Sequence, residues 1–332
     1  MGTGPRGHWT TGPLLLGISM GDPSGIGPEV ILKSLSRLPR LRCRVFGSKA
    51  VFEHEQKRLG TEVDLSCVED VAGQVGVFKM GRAQRNCGAA AFACLEAGVR
   101  ELGAGRVSAL VTGPVAKVAL RMADFRWPGQ TEFLAARLGA KRHAMLAWTP
   151  KFKVVFVTIH EPLASVSRHI TAAAVAEKTG LLNRFLRDSG VGRPRICVMA
   201  FNPHAGEFSL GEEGRIAAGV ARARKAGINA VGPIPADAAA ASISGTGPLG
   251  HSTTRPLPRF DGFVAMYHDQ AMIPAKLLGR DQGVNLTLGL GRIRTSPLHG
   301  VAFDIAGHGI ASAGSMLSAI RLARRLCRAA SH

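Results

Sequence analysis

Long apolar runs are absent from this chain. No stretch of about 18 consecutive apolar residues occurs, so we expect no membrane-spanning helix. Aromatic residues make up only 5% of the chain, and no DNA- or RNA-binding motif is present. The six cysteines include no CxxC pair, which favours buried, reduced thiols. The apolar stretch after residues 1–13 is too short for a signal peptide, so we expect a cytoplasmic protein with a flexible tail at 1–13.

Acidic residues are scarce relative to basic ones. The chain carries 42 Lys and Arg against 23 Asp and Glu, a formal net charge of +19. Such a charge is compatible with nucleic-acid binding, but the arginines are scattered and lack a recognition motif. A basic enzyme with anionic substrates explains the charge more simply, and a general drift in composition towards arginine is the plain alternative.

Apolar segments of strand and helix type alternate along the 332 residues. This order predicts an α/β protein with a largely parallel sheet and functional residues beyond the carboxyl ends of the strands. Strands are predicted at 13–19, 42–48, 107–114, 152–160, 195–204 and 260–270. Helices are predicted at 27–38, 88–105, 171–190 and 313–330. Residues 238–259 are rich in small residues and proline, which indicates a surface loop.

Three of the apolar strands run into a histidine, at His160, His204 and His268. A single such histidine is usually a packed or hydrogen-bonded loop residue. Three at equivalent positions of a parallel sheet can bind a divalent metal. Such a metal suits dehydrogenation of a hydroxy acid, hydrolysis or aldol cleavage, and the histidines alone do not choose among these reactions.

Polar residues near the third histidine extend the candidate site. Asp269 can orient a ligand or carry a proton, or it can cap a loop. Lys276 can anchor an anion or donate a proton, although an exposed lysine is common. Asn285 offers an amide, and Arg294 is suited to bidentate anion binding unless it is an ordinary surface charge.

The ordered motifs identify a family. They include "GDPSGIGPE", "TGPVAK", "PGQTEFLA", "FNPHAGE", "GPIPAD", "MYHDQ" and "RTSPLHGVAFDIAGHG", spread over residues 15–320. The chain resembles the 4-hydroxythreonine-4-phosphate dehydrogenase (PdxA) family of vitamin B6 biosynthesis. Membership does not settle the substrate, because the family includes paralogues acting on other phosphorylated or carboxylated diols.

The resemblance implies an α/β fold similar to isocitrate and isopropylmalate dehydrogenases, which is not a Rossmann fold. Two intertwined subdomains, about 14–135 with 295–330 and 136–294, would hold the active site in a cleft between them. The loop "SMGDPSGIGPEV" at 19–30 then resembles the "GDGIGPE" turn of those dehydrogenases, and Val30 stands where a dinucleotide fingerprint needs its third glycine. We therefore expect Gly25 and Gly27 to permit a tight turn that Asp22 and Glu29 cap or brace.

The same resemblance implies the roles of site residues in a homodimer whose metal sites take ligands from both subunits. The metal ligands would be His160, His204 and His268, with zinc favoured over magnesium or cobalt, and Asp269 and Lys276 would join them in catalysis. The substrate-binding residues would be Gln130, Thr131, Lys276, Asn285 and Arg294. The cofactor, NAD or NADP, would be contacted by Asp237, Leu290, Gly291, Thr295 and His299.

The implied reaction is oxidation of 4-phosphooxy-L-threonine at its hydroxyl, followed by decarboxylation to 3-amino-2-oxopropyl phosphate. One alternative is a paralogous dehydrogenase for another phosphorylated four-carbon hydroxy acid, such as a phospho-threonate or phospho-erythronate, or for a dihydrodiol carboxylate. Another is a catalytically weakened member that binds or regulates. We expect no nucleic-acid or membrane partner.

Two departures from the family pattern bear on the substrate. Gln130 stands where the family usually has a histidine, and glutamine can donate a hydrogen bond but cannot carry charge. After Asp237, "PADAAAAS" and an apparent insertion replace the family's shorter link, so the loop that frames the site differs. Both departures affect the choice of substrate more than the type of reaction.

Overall fold

The computed structural model describes residues 14–244 and 259–330. It divides into two compact units, each built around its own strands. Unit 1 comprises the described residues up to Arg142 and those from Asp281 onward, and unit 2 runs from His143 to Arg280. Strands and helices are numbered in chain order across both units.

Unit 1 contains six of the strands, in the spatial order β3-β2-β1-β4-β11-β10. All neighbouring pairs are parallel except β10 with β11. The strands are β1 (Leu16–Ser19), β2 (Cys43–Gly47), β3 (Val68–Asp70), β4 (Ala109–Thr112), β10 (Val284–Leu288) and β11 (Ile293–Pro297). The helices are α1 (Gly27–Ser36), α2 (Lys49–Leu59), α3 (Arg85–Gly103), α4 (Lys117–Met122), α5 (Gln130–Arg137) and α11 (Gly314–Ala330).

Unit 2 contains five strands in the order β5-β6-β9-β7-β8, antiparallel only between β5 and β6. The strands are β5 (Ala144–Trp148), β6 (Lys153–Phe156), β7 (Arg195–Met199), β8 (Asn229–Ile234) and β9 (Gly262–Ala265). The helices are α6 (Leu163–His169), α7 (Ala172–Asp188), α8 (Glu212–Lys225), α9 (Ala236–Ser244) and α10 (His268–Gly279).

The central strands are buried on both faces, which explains why the sequence shows uninterrupted apolar segments there. Every residue of β1, β4 and β9 is buried, as expected for parallel strands covered on both faces. The predicted α/β class with a largely parallel sheet is therefore confirmed within each unit. The family resemblance implied a subdomain of 136–294 that includes β10. In the structure, β10 belongs to unit 1 and pairs in antiparallel fashion with β11, for example Asn285 opposite Ser296.

The loop at 19–30 is a structural turn, as predicted. A Cβ on Gly27 would lie 2.5 Å from the Met20 carbonyl oxygen, so close approach of the backbone requires glycine there. Asp22 is fully buried and its Oδ1 accepts from the Ser24 amide and hydroxyl at 3.0 and 2.7 Å. Glu29, also buried, accepts from Lys33 Nζ at 2.7 Å and from the Ala311 amide at 2.8 Å. The predicted bracing roles of Asp22 and Glu29 are thus confirmed.

The prediction of a surface loop at 238–259 is wrong for its first part. Residues Ala236–Ser244 form helix α9, and Ala239 within it is fully buried. The run of alanines explains this, because alanine is the best helix former and its small side chain packs closely. Residues 245–258 lie outside the described part of the chain.

Two compositional expectations concern membranes and thiols. Within residues 14–244 and 259–330, no helix is long and apolar enough to cross a membrane. None of the six cysteines, all of which lie in those ranges, forms a disulfide, and four of them are buried. Burial raises the pKa of the Cys94 and Cys197 thiols to about 12, so these two remain protonated at neutral pH.

Candidate active site

Arg294 is a buried cation in the middle of unit 1. It lies in β11 and is 2% exposed. Its Nε and Nη2 donate to Thr112 Oγ1 at the end of β4, at 3.2 and 2.6 Å. Its Nη1 donates to Thr287 Oγ1 at 3.2 Å, and Nη2 also donates to Gln130 Oε1 at 2.9 Å. Four of the five N–H groups of the guanidinium are therefore used.

All of these partners are neutral. No carboxylate forms an ion pair with Arg294 in the described part of the chain; Glu132 acts on it only at longer range. Burial lowers the pKa of Arg294 to about 10, and the charge of Glu132 opposes this shift, so the guanidinium stays protonated at neutral pH. A buried charge without a counter-charge is costly, and an anionic ligand would relieve that cost.

Gln130, Thr131 and Asn285 lie in the same unit as Arg294. Gln130 opens α5, and its Nε2 donates to the Gly113 carbonyl at 3.3 Å while its oxygen accepts from Arg294. Thr131 follows it, half-buried. Asn285 lies in β10, and its buried Oδ1 has no hydrogen-bond partner among the described residues. The structure thus places three of the predicted substrate-binding residues with Arg294 in unit 1.

The three histidines lie just beyond the strand ends of unit 2. Strands β6, β7 and β9 end at Phe156, Met199 and Ala265. His160 and His204 lie in the segments that follow β6 and β7, and His268 is the first residue of α10, which follows β9. The rings of His160 and His268 lie 6.0 Å apart between centroids. His204 adopts a left-handed conformation with φ of 55° and packs instead near Phe208, at 5.7 Å between ring centroids.

Carboxylates hold two of these imidazoles. Asp269 Oδ1 lies 2.7 Å from His268 Nδ1, and Glu207 Oε2 lies 2.6 Å from His204 Nδ1. Because an ionised carboxylate only accepts, Nδ1 carries the proton in each pair, and in a neutral imidazole Nε2 is then the nitrogen with the lone pair. This is the carboxylate–histidine pattern that orients metal ligands in proteins.

The donor chemistry fits a divalent metal, but the arrangement in one chain is incomplete. No group of three or more His, Cys, Asp or Glu side chains that could hold a metal occurs in the described ranges. His160 and His268 are close enough to share an ion, whereas His204 does not join them. The sequence predicted that three histidines converge. In a single chain, the structure brings His160 and His268 together and leaves His204 outside the pair.

Several positioning residues were not predicted. Gln270 accepts from the Met266 amide at 2.7 Å and donates to the Ala200 carbonyl at 2.7 Å, which ties the loop of His268 to the end of β7. The Thr158 hydroxyl donates to the Met266 carbonyl at 2.8 Å. In the sequence, Gln270 and Thr158 could have been found only by their position in the motifs that contain His268 and His160.

Glu213 orders the loop that leads to His204. Its Oε1 accepts from the Phe201 and Asn202 amides at 3.1 and 2.8 Å. Burial alone would raise the pKa of Glu213, but hydrogen bonds from Ser209 and Asn202 outweigh it and bring the pKa below its usual value. Glu213 therefore stays ionised and keeps accepting these bonds at neutral pH.

Lys276 projects from α10, the helix that begins at His268. It is exposed, and eight residues, about 2.2 turns, separate it from His268, so both lie on the same side of the helix. Two large apolar side chains of α10, Ile273 and Leu277, are 60% and 73% exposed. This helix therefore presents a lysine and an apolar surface together.

The predicted cofactor residues have mixed environments. Gly291 has φ of +68° and open space beside it, and the buried His299 Nε2 has no hydrogen-bond partner among the described residues. Burial lowers the pKa of His299, which favours its neutral form. Thr295 is fully buried and donates to the Ala319 carbonyl at 3.0 Å, Leu290 is buried, and Asp237 is exposed in α9. Gly291 and His299 are thus the two best suited to a ligand.

Comparisons with known proteins identify the family of the chain. The family model for pyridoxal phosphate biosynthetic protein PdxA matches residues 25–323. A 4-hydroxythreonine-4-phosphate dehydrogenase of Beijerinckia indica is 39% identical over 330 residues, covering 94% of each chain. A Bradyrhizobium diazoefficiens protein named "Putative D-threonate 4-phosphate dehydrogenase" is 37% identical, covering 95% of this chain and 97% of that one.

A solved structure shows the same likeness in three dimensions. The crystal structure of 4-hydroxythreonine-4-phosphate dehydrogenase from Klebsiella pneumoniae superposes with a TM-score of 0.79 at 33% identity. The match covers 95% of this chain and all of that chain. The chain therefore belongs to the PdxA family of dehydrogenases.

Proposed function

We propose that the protein oxidises the hydroxyl group of 4-phosphooxy-L-threonine with NAD or NADP. The keto acid formed then loses carbon dioxide to give 3-amino-2-oxopropyl phosphate, a step of vitamin B6 biosynthesis. Relatives named for this dehydrogenase support the proposal. The observation that carries it is the buried Arg294, whose charge has only neutral partners and is suited to a substrate anion.

In this proposal the residues of unit 1 bind the anionic part of the substrate. Arg294 supplies the charge, and its cage of Thr112, Thr287 and Gln130 holds the guanidinium in one orientation before the substrate arrives. Such preorganisation means that little ordering is needed on binding. Asn285 and Thr131 add neutral hydrogen-bonding groups.

The residues of unit 2 would hold a divalent metal through imidazole nitrogens, which favours zinc over magnesium. The bound ion would act as a Lewis acid towards the substrate oxygens. Asp269 and Glu207 keep the Nε2 lone pairs of His268 and His204 available. NAD or NADP would supply the hydride acceptor for the oxidation, and Lys276 would supply the proton that replaces the carboxyl group once carbon dioxide has left.

A homodimer accounts for the incomplete histidine set. If a second copy supplies at least one ligand, the pair and the separate third histidine become one site. The exposed Ile273 and Leu277 on α10 support burial of this surface against another chain. Mixing inactive His204→Ala and His268→Ala proteins tests this: shared sites regain activity in mixed dimers, whereas sites built within one chain stay inactive.

We also propose that the fold is of the isocitrate and isopropylmalate dehydrogenase kind. Within unit 1, β10 pairs with β11 in antiparallel fashion, whereas the strands of a Rossmann sheet are mostly parallel. The turn at 19–30 is a brace for α1, which fits this fold better than a dinucleotide loop.

A second candidate substrate is D-threonate 4-phosphate or a similar phosphorylated four-carbon hydroxy acid. Gln130 motivates this candidate, because it replaces the family's usual histidine and brings no charge to the site around Arg294. A relative whose printed name refers to this substrate also supports it.

The deciding experiment is cofactor reduction against a panel of hydroxy acids, with and without a phosphate group. We expect NAD(P)H formation with 4-phosphooxy-L-threonine or a phospho-threonate, loss of activity on chelation, and recovery with zinc. Carbon dioxide release is measured in parallel. Turnover that ignores both the phosphate group and the chelator would contradict the proposal.

A further inference from the structure

A cavity of about 260 Å³ lies in unit 1, at the amino end of α5. It is separate in sequence from the strands that carry Arg294 and Asn285. Its walls come from α4 and from the segment that leads into α5, among them Lys117, Leu120, Arg121, Phe125, Arg126 and Trp127.

Three of the side chains around this cavity are cations without partners. Lys117, Arg121 and Arg126 are all exposed, and none forms an ion pair or side-chain hydrogen bond with the described residues. Neighbouring arginines differ: Arg85 pairs with Asp124 at 2.7 Å, and Arg137 pairs with Glu96 at 3.1 Å. The acids beside the cavity are therefore already engaged, whereas the cations that line it are not.

Glu132 is the remaining acid nearby. Its Oε2 lies 3.0 Å from the position of a Cβ built on Gly129, and Lys117 Nζ lies 4.0 Å from the same point. Glu132 forms no ion pair within 4.0 Å among the described residues, so at most one negative charge stands against three positive ones. The cavity keeps an excess of positive charge.

The apolar side of the cavity is rigid. Leu120 and Phe125 are 1% and 5% exposed, which makes them part of the core. Phe125 and Trp127 pack at 5.2 Å between ring centroids, and Trp127 packs against Phe133 at 4.9 Å. The guanidinium of Arg137 lies 5.5 Å from the centre of the Trp127 ring. A well-packed apolar wall therefore lies beside three cations that have no partner among the described residues.

We propose that this cavity binds a phosphate group, with a short carbon chain against its apolar wall. Two guanidinium groups and an ammonium suit a dianion, because arginine binds phosphate oxygens in bidentate fashion. Gly129 lines the cavity and directly precedes α5. The unpaired N–H groups of the first turn of α5 therefore belong to the end of the helix that borders the cavity. The proposal of phosphate binding rests on the cavity and its unpaired cations, and the amino end of α5 supports it.

The phosphate has two possible sources with the same chemistry. It is either part of the substrate, in which case the inference rests on the proposed function, or a separate phosphorylated compound. Gly129 adjoins Gln130, which touches Arg294, so the cavity and the Arg294 site share a stretch of chain. The tests below distinguish the two sources.

The first test measures binding of inorganic phosphate to the intact protein by calorimetry at constant ionic strength. The variant is Arg121→Ala/Arg126→Ala, and the matched control is Arg321→Ala/Arg328→Ala, which removes two exposed arginines from α11 of the same unit. We expect at least tenfold weaker binding in the first variant and no change in the control. Equal affinities in all three proteins would overturn the proposal.

The fluorescence of Trp127 provides a second, local measurement. We expect phosphate to change the emission of the wild-type protein and to leave the Trp127→Phe variant unchanged. Thermal unfolding checks that each variant is folded, which we expect because the two replaced arginines are exposed. A phosphate response that persists in Trp127→Phe and in Arg121→Ala/Arg126→Ala would place the anion elsewhere and overturn the proposal.

Inhibition kinetics then identify the source. If the substrate's phosphate occupies the cavity, inorganic phosphate competes with substrate and Arg121→Ala/Arg126→Ala raises KM about tenfold at unchanged kcat. If a separate compound occupies it, phosphate binds alongside substrate and KM does not change. The calorimetric result stands by itself, so failure of the proposed reaction would not be confused with failure of this site.

Discussion

Arg294 and the three histidines form two centres that are built in opposite ways. Arg294 lies inside the sheet of unit 1, 2% exposed, and three neutral side chains hold its guanidinium. The histidines lie just beyond strand ends of unit 2, and the side chain of His204 is 68% exposed. The contacts of Arg294 are made within a single chain, whereas His160 and His268 form a pair that His204 does not join among the described residues.

This difference shows which part of the site exists before any ligand binds. Moving a charged group within a packed sheet would break buried hydrogen bonds, so Arg294 has one position. The segments that carry the histidines depend on a few side-chain hydrogen bonds, such as those of Gln270 and Glu213. Under the proposed function, the anion site would therefore be formed before the substrate binds, whereas the metal site would be completed only when two chains assemble.

Replacing His204 by alanine is expected to have the largest effect on activity. Loss of Lewis-acid stabilisation of several kcal/mol corresponds to a fall in kcat of about 10³-fold. The melting temperature should not change, because the side chain is mostly exposed. His54→Ala, an exposed histidine on α2, is the control. A His204→Ala protein with near wild-type kcat would show that this centre does not take part in the chemistry.

Replacing Arg294 by methionine should separate binding from stability. We expect KM for a phosphorylated substrate to rise about 10²-fold, because truncating one partner of a buried charge pair costs about 2–5 kcal/mol. Stability to urea should stay equal or increase, since an unpaired buried charge is replaced by an apolar side chain. Arg292→Met serves as the control. A large loss of stability with unchanged KM would make Arg294 a purely structural residue.

Replacing Glu207 by alanine tests the hydrogen bond that holds the His204 ring. Removing the acceptor of the His204 Nδ1 proton should weaken metal affinity by about 10–100-fold, measured by competition with a chelator. Glu207→Gln, which can still accept that proton, should lie between alanine and wild type. If neither variant differs from the exposed-surface control Glu53→Gln, the carboxylate does not orient a ligand.

Replacing Gln130 by histidine should give the smallest effect and make the buried centre sensitive to pH. An imidazole gains a positive charge as pH falls through its pKa, ordinarily about 6.5, and this would strengthen binding of a dianion. We expect KM for the phosphorylated substrate to be a few-fold lower near pH 6 than near pH 8, beyond any change in the wild type. The same pH profile in both proteins would mean that residue 130 does not contact the anion.

Much of the fold follows from apolar patterning, and less of the site does. The buried strands β1, β4 and β9 are mostly apolar, and each lies within a predicted strand segment. Helix α9 was missed because small residues and proline nearby indicated a loop. Arg294 was selected as an anion ligand, but its partners Thr112 and Thr287 come from strands far apart in sequence, and no spacing predicts such a cage.

The sequence by itself determined the family, the α/β alternation and the residue types available for chemistry, because motifs and periodicity are local properties. Only the tertiary structure decided that Arg294 is buried among neutral groups, that His204 stands apart from His160 and His268, and that Lys117, Arg121 and Arg126 surround a cavity. Burial, pairing and distance depend on residues remote in the chain. The same arginine is therefore a solvated charge or a binding site according to what packs around it.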